Sequence, residues 1–207
     1  MIVGWVRTCT EWGVHMVGRS YAIFDTAIGR CGIVWSNAGV VAVQLPEARE
    51  LDTRRRIFQV HPEARERRPS DNTALAIAGI SVFLQGSSGD LADIRLDISG
   101  VPGFNRRVYD FARAIPRGET RTYGEIAKAL GASGASHSVA QAIGKNPFMI
   151  IVPCHRVLEA GSAADKISLH GGVISKRRLL GIEGTRLSMG KTLFDVLLPL
   201  DPPRPPH

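Results

Sequence analysis

Cysteine is scarce in this chain: 207 residues hold three, Cys9, Cys31 and Cys154. They are too few and too scattered for a disulfide framework, so a reducing interior is expected. Metal-ligand spacing is missing as well, since Cys9, His15 and Cys31 form no C-x2-C or H-x3-H pattern and no zinc site is expected. There is no uncharged apolar run of membrane length, and the N-terminus lacks the basic, apolar and cleavage-site succession of a secretory signal. A cytoplasmic protein without a membrane partner is the expectation. Acidic residues are the minority charge, 19 against 26 Lys and Arg, which leaves a net charge of +7 and a pI near 9.8. Such a balance suits a polyanionic partner and suits plain solubility equally. Length and a hydrophobic content of 44% allow one or two domains with cores of their own.

Residues 1–19 show no clear period despite Trp5 and Trp12, and read as an N-terminal extension. Tyr21–Phe24, Cys31–Ser36 and Val40–Leu45 read as strands, separated by Gly29 and by the Asn37-Ala38-Gly39 turn, and predict a small antiparallel meander. Pro46-Glu47 then opens a helix whose polar side carries Arg49, Arg54, Arg55 and Arg56, a solvated face. His61–Ser70, bracketed by prolines, reads as a loop. Asp71 or Asn72 caps a core helix over Thr73–Gln85 that ends at Gly86. Ile94, Leu96 and Ile98 alternate with Asp93, Arg95 and Asp97, the pattern of a half-buried strand, and close a first domain over 20–98.

A second domain, 99–190, opens at Gly100–Gly103. Phe104, Val108, Phe111, Ala112 and Ile115 recur at helical spacing until Pro116. Thr122-Tyr123-Gly124-Glu125 is a capping box and starts a helix to Leu130, broken at Gly131. The turn GASGAS leads into a Ser136-capped helix over 137–145, stopped by Asn146-Pro147. Two short helices across a Gly-containing turn spell a helix-turn-helix variant. Val139, Ala142 and Ile143 form the inward stripe of its second helix, leaving His137, Ala140, Gln141, Gly144 and Lys145 outside. Most of these are small enough to approach the floor of a narrow groove, although a plain surface helix would look the same. Next comes MIIVPCHRV, in which Met149–Val152 reads as a buried strand and Pro153 ends it, setting Cys154 beside His155 at the exit. By itself this is a reactive thiol or an inert buried one, depending on how much thiolate its surroundings allow. The proline-rich tail, within 191–207, reads as disordered.

The flanks of that stretch carry a resemblance. Asn146-Pro147 stands upstream and Arg156-Val157 downstream, followed by Gly171-Gly172 and Lys176-Arg177-Arg178-Leu179-Leu180-Gly181-Ile182-Glu183-Gly184. Over about residues 100–184, and more loosely over about 20–98, this resembles the O6-alkylguanine-DNA alkyltransferases, also called methylated-DNA-protein-cysteine methyltransferases. The resemblance implies DNA repair by single-turnover transfer of an alkyl group from O6-alkylguanine, with O4-alkylthymine as a further candidate, to Cys154. A soft thiolate suits displacement at a saturated carbon. It also implies that His155 takes the thiol proton through a water, that Glu183 orients and charges the imidazole, and that Asn146 braces the turn. Tyr123 would hydrogen-bond the base and let guanine leave neutral, while the carbonyls of Cys154 and Val157 read its exocyclic amine. Arg156 would be structural or phosphate-facing. The partner would be double-stranded DNA met in the minor groove, contacted by His137, Ala140, Gln141 and Lys145, with the target base flipped out. The protein would act as a monomer without cofactor, because the damaged DNA is itself the donor.

The fold class expected is therefore α+β: a small N-terminal antiparallel sheet with helices, then a mostly helical domain with the helix-turn-helix variant and the PCHRV strand. A lesion sensor that binds without transferring is the competing reading, and the presence of Cys154 argues against it. A thiol hydrolase is a third, which leaves the helix-turn-helix and the basic charge unexplained. Two departures from the family pattern stand out. Leu169 and His170 occupy a loop where the family carries a tyrosine and a small residue; Leu169 still offers an apolar pocket wall and His170 a backbone amide for O6, so an altered preference among alkyl groups is expected. His137 occupies the position of the arginine that replaces the extruded base. A histidine is smaller and, near neutral pH, less charged than an arginine. His137→Arg is therefore expected to bind lesion-containing duplex more tightly than the wild type in a titration by fluorescence anisotropy; equal affinities would remove the role given to this position.

Overall fold

The computed structural model describes residues 18–87, 89, 91–160 and 176–185. The first half is a four-stranded sheet, β1 (Ser20–Thr26), β2 (Gly29–Trp35), β3 (Val40–Gln44) and β4 (Arg65–Glu66), in the order β3-β2-β1-β4. β1, β2 and β3 pair antiparallel, with Tyr21 opposite Val34 and Ile33 opposite Val43. The Asn37–Gly39 turn closes on bonds between Ser36 and Gly39 in both directions, as a tight hairpin requires. Period-two alternation divides the sheet's side chains between two faces. Cys31, Ile33 and Trp35 join the main core, while Tyr21 and Val34 form a smaller cluster with Ile57 and Ala64. Ile57 belongs to α1 (Glu50–Val60), which lies so close to the sheet that a Cβ at Gly32 would collide with it.

Several local expectations are corrected. α1 starts at Glu50 and not at Pro46, because Arg49 is extended and binds Asp52 as the helix begins. The loop His61–Ser70 contains β4, which pairs parallel to β1 through Arg65 N–H to the Arg19 carbonyl (3.0 Å) and Arg67 N–H to that of Tyr21 (3.1 Å). The next helix, α2 (Asp71–Leu84), has Ser70 as its N-cap. Asn72 instead spends its amide on the linker, accepting from Arg95 N–H and donating to the Arg95 carbonyl. Residues 94–98 are not a strand: only Leu96 bridges to Val40. Asp97 turns the chain away, accepting from Ser36 Oγ at 2.6 Å and from the Ser99 N–H at 3.1 Å. Side-chain capping at Asp97 thus competes successfully with strand pairing.

The second half packs α3 (Gly103–Arg113), α4 (Tyr123–Ala129), α5 (Ser136–Gly144) and α6 (Lys176–Ile182) around the same core, whose buried cluster runs from Ala22 to Leu179. On α3, Val108, Tyr109 and Ala112 are buried, and the Tyr109 hydroxyl donates to the Ala142 carbonyl of α5 at 3.0 Å. α5 is capped by the backbone at Ala135, so Ser136 is its first residue and not its cap. Val139, Ala142 and Ile143 face the core. A second, two-stranded sheet pairs β5 (Arg121–Thr122) parallel to β6 (Val157–Leu158), which brings the start of α4 next to the residues after Cys154.

Met149–Val152 is likewise not a strand but a buried tight turn. Val152 N–H closes on the Phe148 carbonyl at 2.8 Å, and Ile150 sits at φ 72° with 3% of its surface exposed. A β-branched residue in the left-handed region is strained, and the surrounding core holds it there. An apolar run predicts burial but does not say which backbone groups pair.

At α4 the capping box is complete: Glu125 N–H donates to Thr122 Oγ1 (3.2 Å), and Thr122 N–H donates to Glu125 Oε2 (2.6 Å). Thr122→Ala removes the first bond and loosens the second. It should cost about 1 kcal/mol and lower the Tm by about 2–4 °C in a thermal melt; an unchanged Tm would mean that the box does not contribute.

Candidate active site

Cys154 and His155 lie in a 3-10 turn, Cys154–Arg156, entered through Pro153. The turn is set by Cys154 N–H to the Val152 carbonyl (2.7 Å) and Arg156 N–H to that of Pro153 (2.9 Å). Asn146 ties it to the end of α5: Phe148 N–H donates to its Oδ1 and its Nδ2 donates to the Val152 carbonyl, both at 3.0 Å. Both lone amide groups of Asn146 are thereby used to close the loop before the thiol. Cys154 is 2% exposed and His155 not at all. The imidazole packs against Phe83 of α2 with ring centres 5.6 Å apart.

His155 Nε2 lies 3.0 Å from Oε1 of Glu183, just past the end of α6. Against a carboxylate this nitrogen carries the hydrogen, so Nδ1 is the bare one in a neutral ring. Among the described residues the buried Nδ1 has no hydrogen-bond partner. Arg156 grips the same carboxylate, with Nε at 3.0 and 3.2 Å from its two oxygens and Nη2 at 2.6 Å from Oε1. Its Nη1 donates to the Ile115 carbonyl at 2.6 Å. Of the two roles expected for Arg156, the structural one is what the geometry shows.

The electrostatics follow from burial and these partners. Burial pushes the Glu183 carboxyl up, but His155 and Arg156 pull it down further, to about 2. Burial lowers His155 below its ordinary value, against the opposing pull of Glu183. Burial raises the Cys154 thiol, against the charge of Lys176, the Asn146 amide and backbone N–H groups. The resting pair is thus a thiol beside a neutral imidazole. Glu183 does not make a standing imidazolium; it lowers the cost of forming one when a proton arrives.

Tyr123 is the first residue of α4, 8% exposed, with its hydroxyl pushed up by burial and then by Cys154. Its neighbour Lys176 heads the Lys176-Arg177-Arg178 run, to which the sequence alone assigned no role. The structure buries it to 2% exposure. Lys176 Nζ donates to the Val157 carbonyl at 2.8 Å, lies 3.4 Å from the Tyr123 hydroxyl and sits 5.7 Å above its ring centre. Burial lowers its pKa, opposed by Cys154. The Val157 carbonyl, expected to read the base, therefore keeps one lone pair for another donor, as does that of Cys154, which accepts from Val157 N–H.

On α5, His137, Gln141 and Lys145 are exposed and Ala140 is half-buried, and His137 Nε2 lies 3.0 Å from Gln141 Nε2. These residues share the outer face that ends at Asn146. Leu169, His170, Cys9 and His15 lie outside the described residues. Cys31 is buried in the sheet, its thiol pushed up to about 11 by burial, and Cys154 does not meet it. Among the described residues no group of three His, Cys, Asp or Glu could hold a metal ion.

The Glu183 geometry has a measurable consequence. A carboxyl held near 2 against an ordinary 4.5 contributes stability that is full above about pH 4.5 and is lost as the pH falls toward 2. Glu183→Gln should be less stable than wild type at neutral pH and lose less on acidification between about pH 5 and 2 in urea denaturation; an equally steep acid loss in both would assign that loss to other carboxylates.

Residues 103–185 match the family described as 6-O-methylguanine DNA methyltransferase, DNA binding domain. The methylated-DNA--protein-cysteine methyltransferase of Mycobacterium tuberculosis is 42% identical over 120 residues, 58% of this chain and 70% of that protein. The one from Methanothermobacter thermautotrophicus is 35% identical over 156 residues, 75% of this chain and 80% of the relative. Among solved structures, Mycobacterium tuberculosis OGT in complex with DNA superposes with a TM-score of 0.59 at 29% identity, covering 79% of this chain and 92% of that one. With the paired Cys154-His155, the Glu183 carboxylate behind them and the helix pair in front, this chain belongs to the methylated-DNA--protein-cysteine methyltransferase family.

Proposed function

We propose that this protein repairs DNA directly, moving an alkyl group from O6 of a guanine in DNA to Cys154, once per molecule. It is a DNA-binding methyltransferase of the direct-reversal type. The observation that carries the assignment to Cys154 is the buried His155–Glu183 pair next to it, with Nδ1 of His155 left to accept a proton. The thiol proton passes through a water to Nδ1, and Glu183 offsets the charge that forms on the ring. Sulfur then attacks the alkyl carbon, the carbon–O6 bond breaks, and its electron pair stays with the purine. Tyr123 supplies a proton so that guanine leaves neutral, and Lys176 beside the Tyr123 hydroxyl stabilises the phenolate that this step develops. The proton taken up by His155 then passes back to the Tyr123 phenolate, so the sum is thiol plus O6-alkylguanine giving thioether plus guanine. Among the described residues no group reverses the thioether, so each molecule is spent.

Access to a stacked base requires flipping, and α5 is the element that would do it from the minor groove. Its small outer residues, Ala140 and Gly144, permit close approach, while Lys145 can meet a phosphate. All the groups named come from one chain, so a monomer suffices. Among the described residues no helix is long and apolar enough to cross a membrane. A nucleophile that must stay reduced fits a reducing cytoplasm.

Incubation with duplex DNA containing O6-methylguanine should add a single methyl to the intact protein, found on the Cys154 peptide by mass spectrometry. The extent should saturate at one methyl per chain, and Cys154→Ser should show none. Tight binding of the lesion with no adduct would replace repair with lesion sensing.

A further inference from the structure

Glu183 is held by its carboxylate, through His155 and Arg156, and it is also held by its backbone. α6 ends at Ile182, where the last carbonyls of a helix have no partner within it. Gly184, at φ 74°, closes the end, with Gly184 N–H bonded to the Gly181 carbonyl and Thr185 N–H to that of Leu180. The carbonyls of Ile182 and Glu183 are taken from outside by Arg117, whose Nη2 lies 3.0 Å from the first and Nε 3.4 Å from the second. The same Nη2 lies 2.5 Å from the Gly86 carbonyl at the end of α2. A cation that bridges two helix C-termini is well placed against both dipoles. Among the described residues Arg117 makes no ion pair with the Glu183 carboxylate, so whatever it does there it does through the backbone.

Two residues earlier, the Ile115 carbonyl anchors Arg156, which forks onto that carboxylate. The segment Ile115-Pro116-Arg117 therefore grips Glu183 from both ends, side chain by way of Arg156 and main chain by way of Arg117. We infer that Arg117 is a positioning residue for alkyl transfer: it fixes the end of α6 against α2, and so holds the Glu183 carboxylate in hydrogen-bond reach of His155.

The inference rests on the repair reading for its kinetic test and is independent of it for its spectroscopic one. Arg117 lines an open cleft of about 570 Å³ together with Gly86, Ile182 and Gly184, so truncation removes carbonyl bonds without leaving a sealed void. The groups that bear on the His155 ring are Glu183, Arg156 and Lys176. Of these, Glu183 and Arg156 meet the segment that Arg117 organises. If Glu183 drifts, His155 becomes a poorer proton acceptor and Cys154 must ionise unaided, which alkaline pH permits.

Arg117→Ala is therefore expected to slow methyl transfer about tenfold near neutral pH, with the deficit shrinking as the pH is raised. In a Glu183→Gln background the same substitution should barely change the rate while still lowering Tm. Arg117→Lys, which can reach one carbonyl, should recover part of the rate and serves as the test variant if the alanine variant does not fold. A deficit equal at every pH, or one that multiplies with that of Glu183→Gln, would overturn the inference. Independently, proton NMR should show the low-field His155 Nε2–H signal weakened and shifted upfield in Arg117→Ala; an unchanged signal would overturn it even if the wild type transferred no methyl at all. Absence of transfer by the wild type together with the predicted loss of that signal would sink the repair reading and leave the positioning role standing.

Discussion

A buried carboxylate must be paired, and that requirement organises this protein around Glu183. With no side-chain exposure at Glu183, an unpartnered charge there would cost several kcal/mol. Arg156 answers with a forked guanidinium and His155 with a ring N–H, and the residue between Pro153 and these two partners is the thiol. The arrangement is therefore one unit of structure and of chemistry. α6 cannot leave the 3-10 turn at Cys154–Arg156 without uncovering two charges, and Cys154 cannot be moved without disturbing the acceptor of its proton.

The rest of the fold supplies rigidity to that unit. The sheet gives a floor of Ile33, Val40 and Val43, and α2 lays Phe83 against the His155 ring. Three arginines around α3 bind the connecting segments by their carbonyls: Arg106 holds Val101 and Ser99, Arg113 holds Leu91, Ala92 and Ile94, and Arg117 holds Gly86. The first half of the chain carries none of the reacting groups, yet it is joined through these contacts to the elements that do. Burial also favours the protonated thiol over the thiolate. A buried neutral thiol is less nucleophilic than a thiolate.

Much was legible where a residue's role is local. The capping box at Thr122-Tyr123-Gly124-Glu125, the hairpin at Asn37–Gly39 and the inward stripe Val139, Ala142 and Ile143 depend on neighbours within one or two turns. Failures arose where a distant group decided. Ile94, Leu96 and Ile98 alternate as a strand should, but Asp97 found Ser36 sixty-one residues away and the pairing stopped after one bridge. Met149–Val152 had the composition of a strand, and Asn146 with Val43 folded it into a turn instead. Lys176 and Arg117 drew no role from the sequence, because nothing in a linear string reveals which carbonyls will be left unpaired.

By itself, then, the amino-acid sequence determined the chemistry available: a thiol beside an imidazole in PCHRV, a carboxylate at the end of KRRLLGIEG, and a pair of short helices with a small-residue face. These are properties of residue type and close spacing. Tertiary structure alone decided that His155 meets Glu183 through Nε2, that Arg156 serves the carboxylate, that Lys176 lies against Tyr123 and that Cys154 is buried. Each of those depends on burial and on partners brought from 27 or more residues away or across the core. A long-range contact is set by the packing of the whole chain, and local pattern carries no record of it.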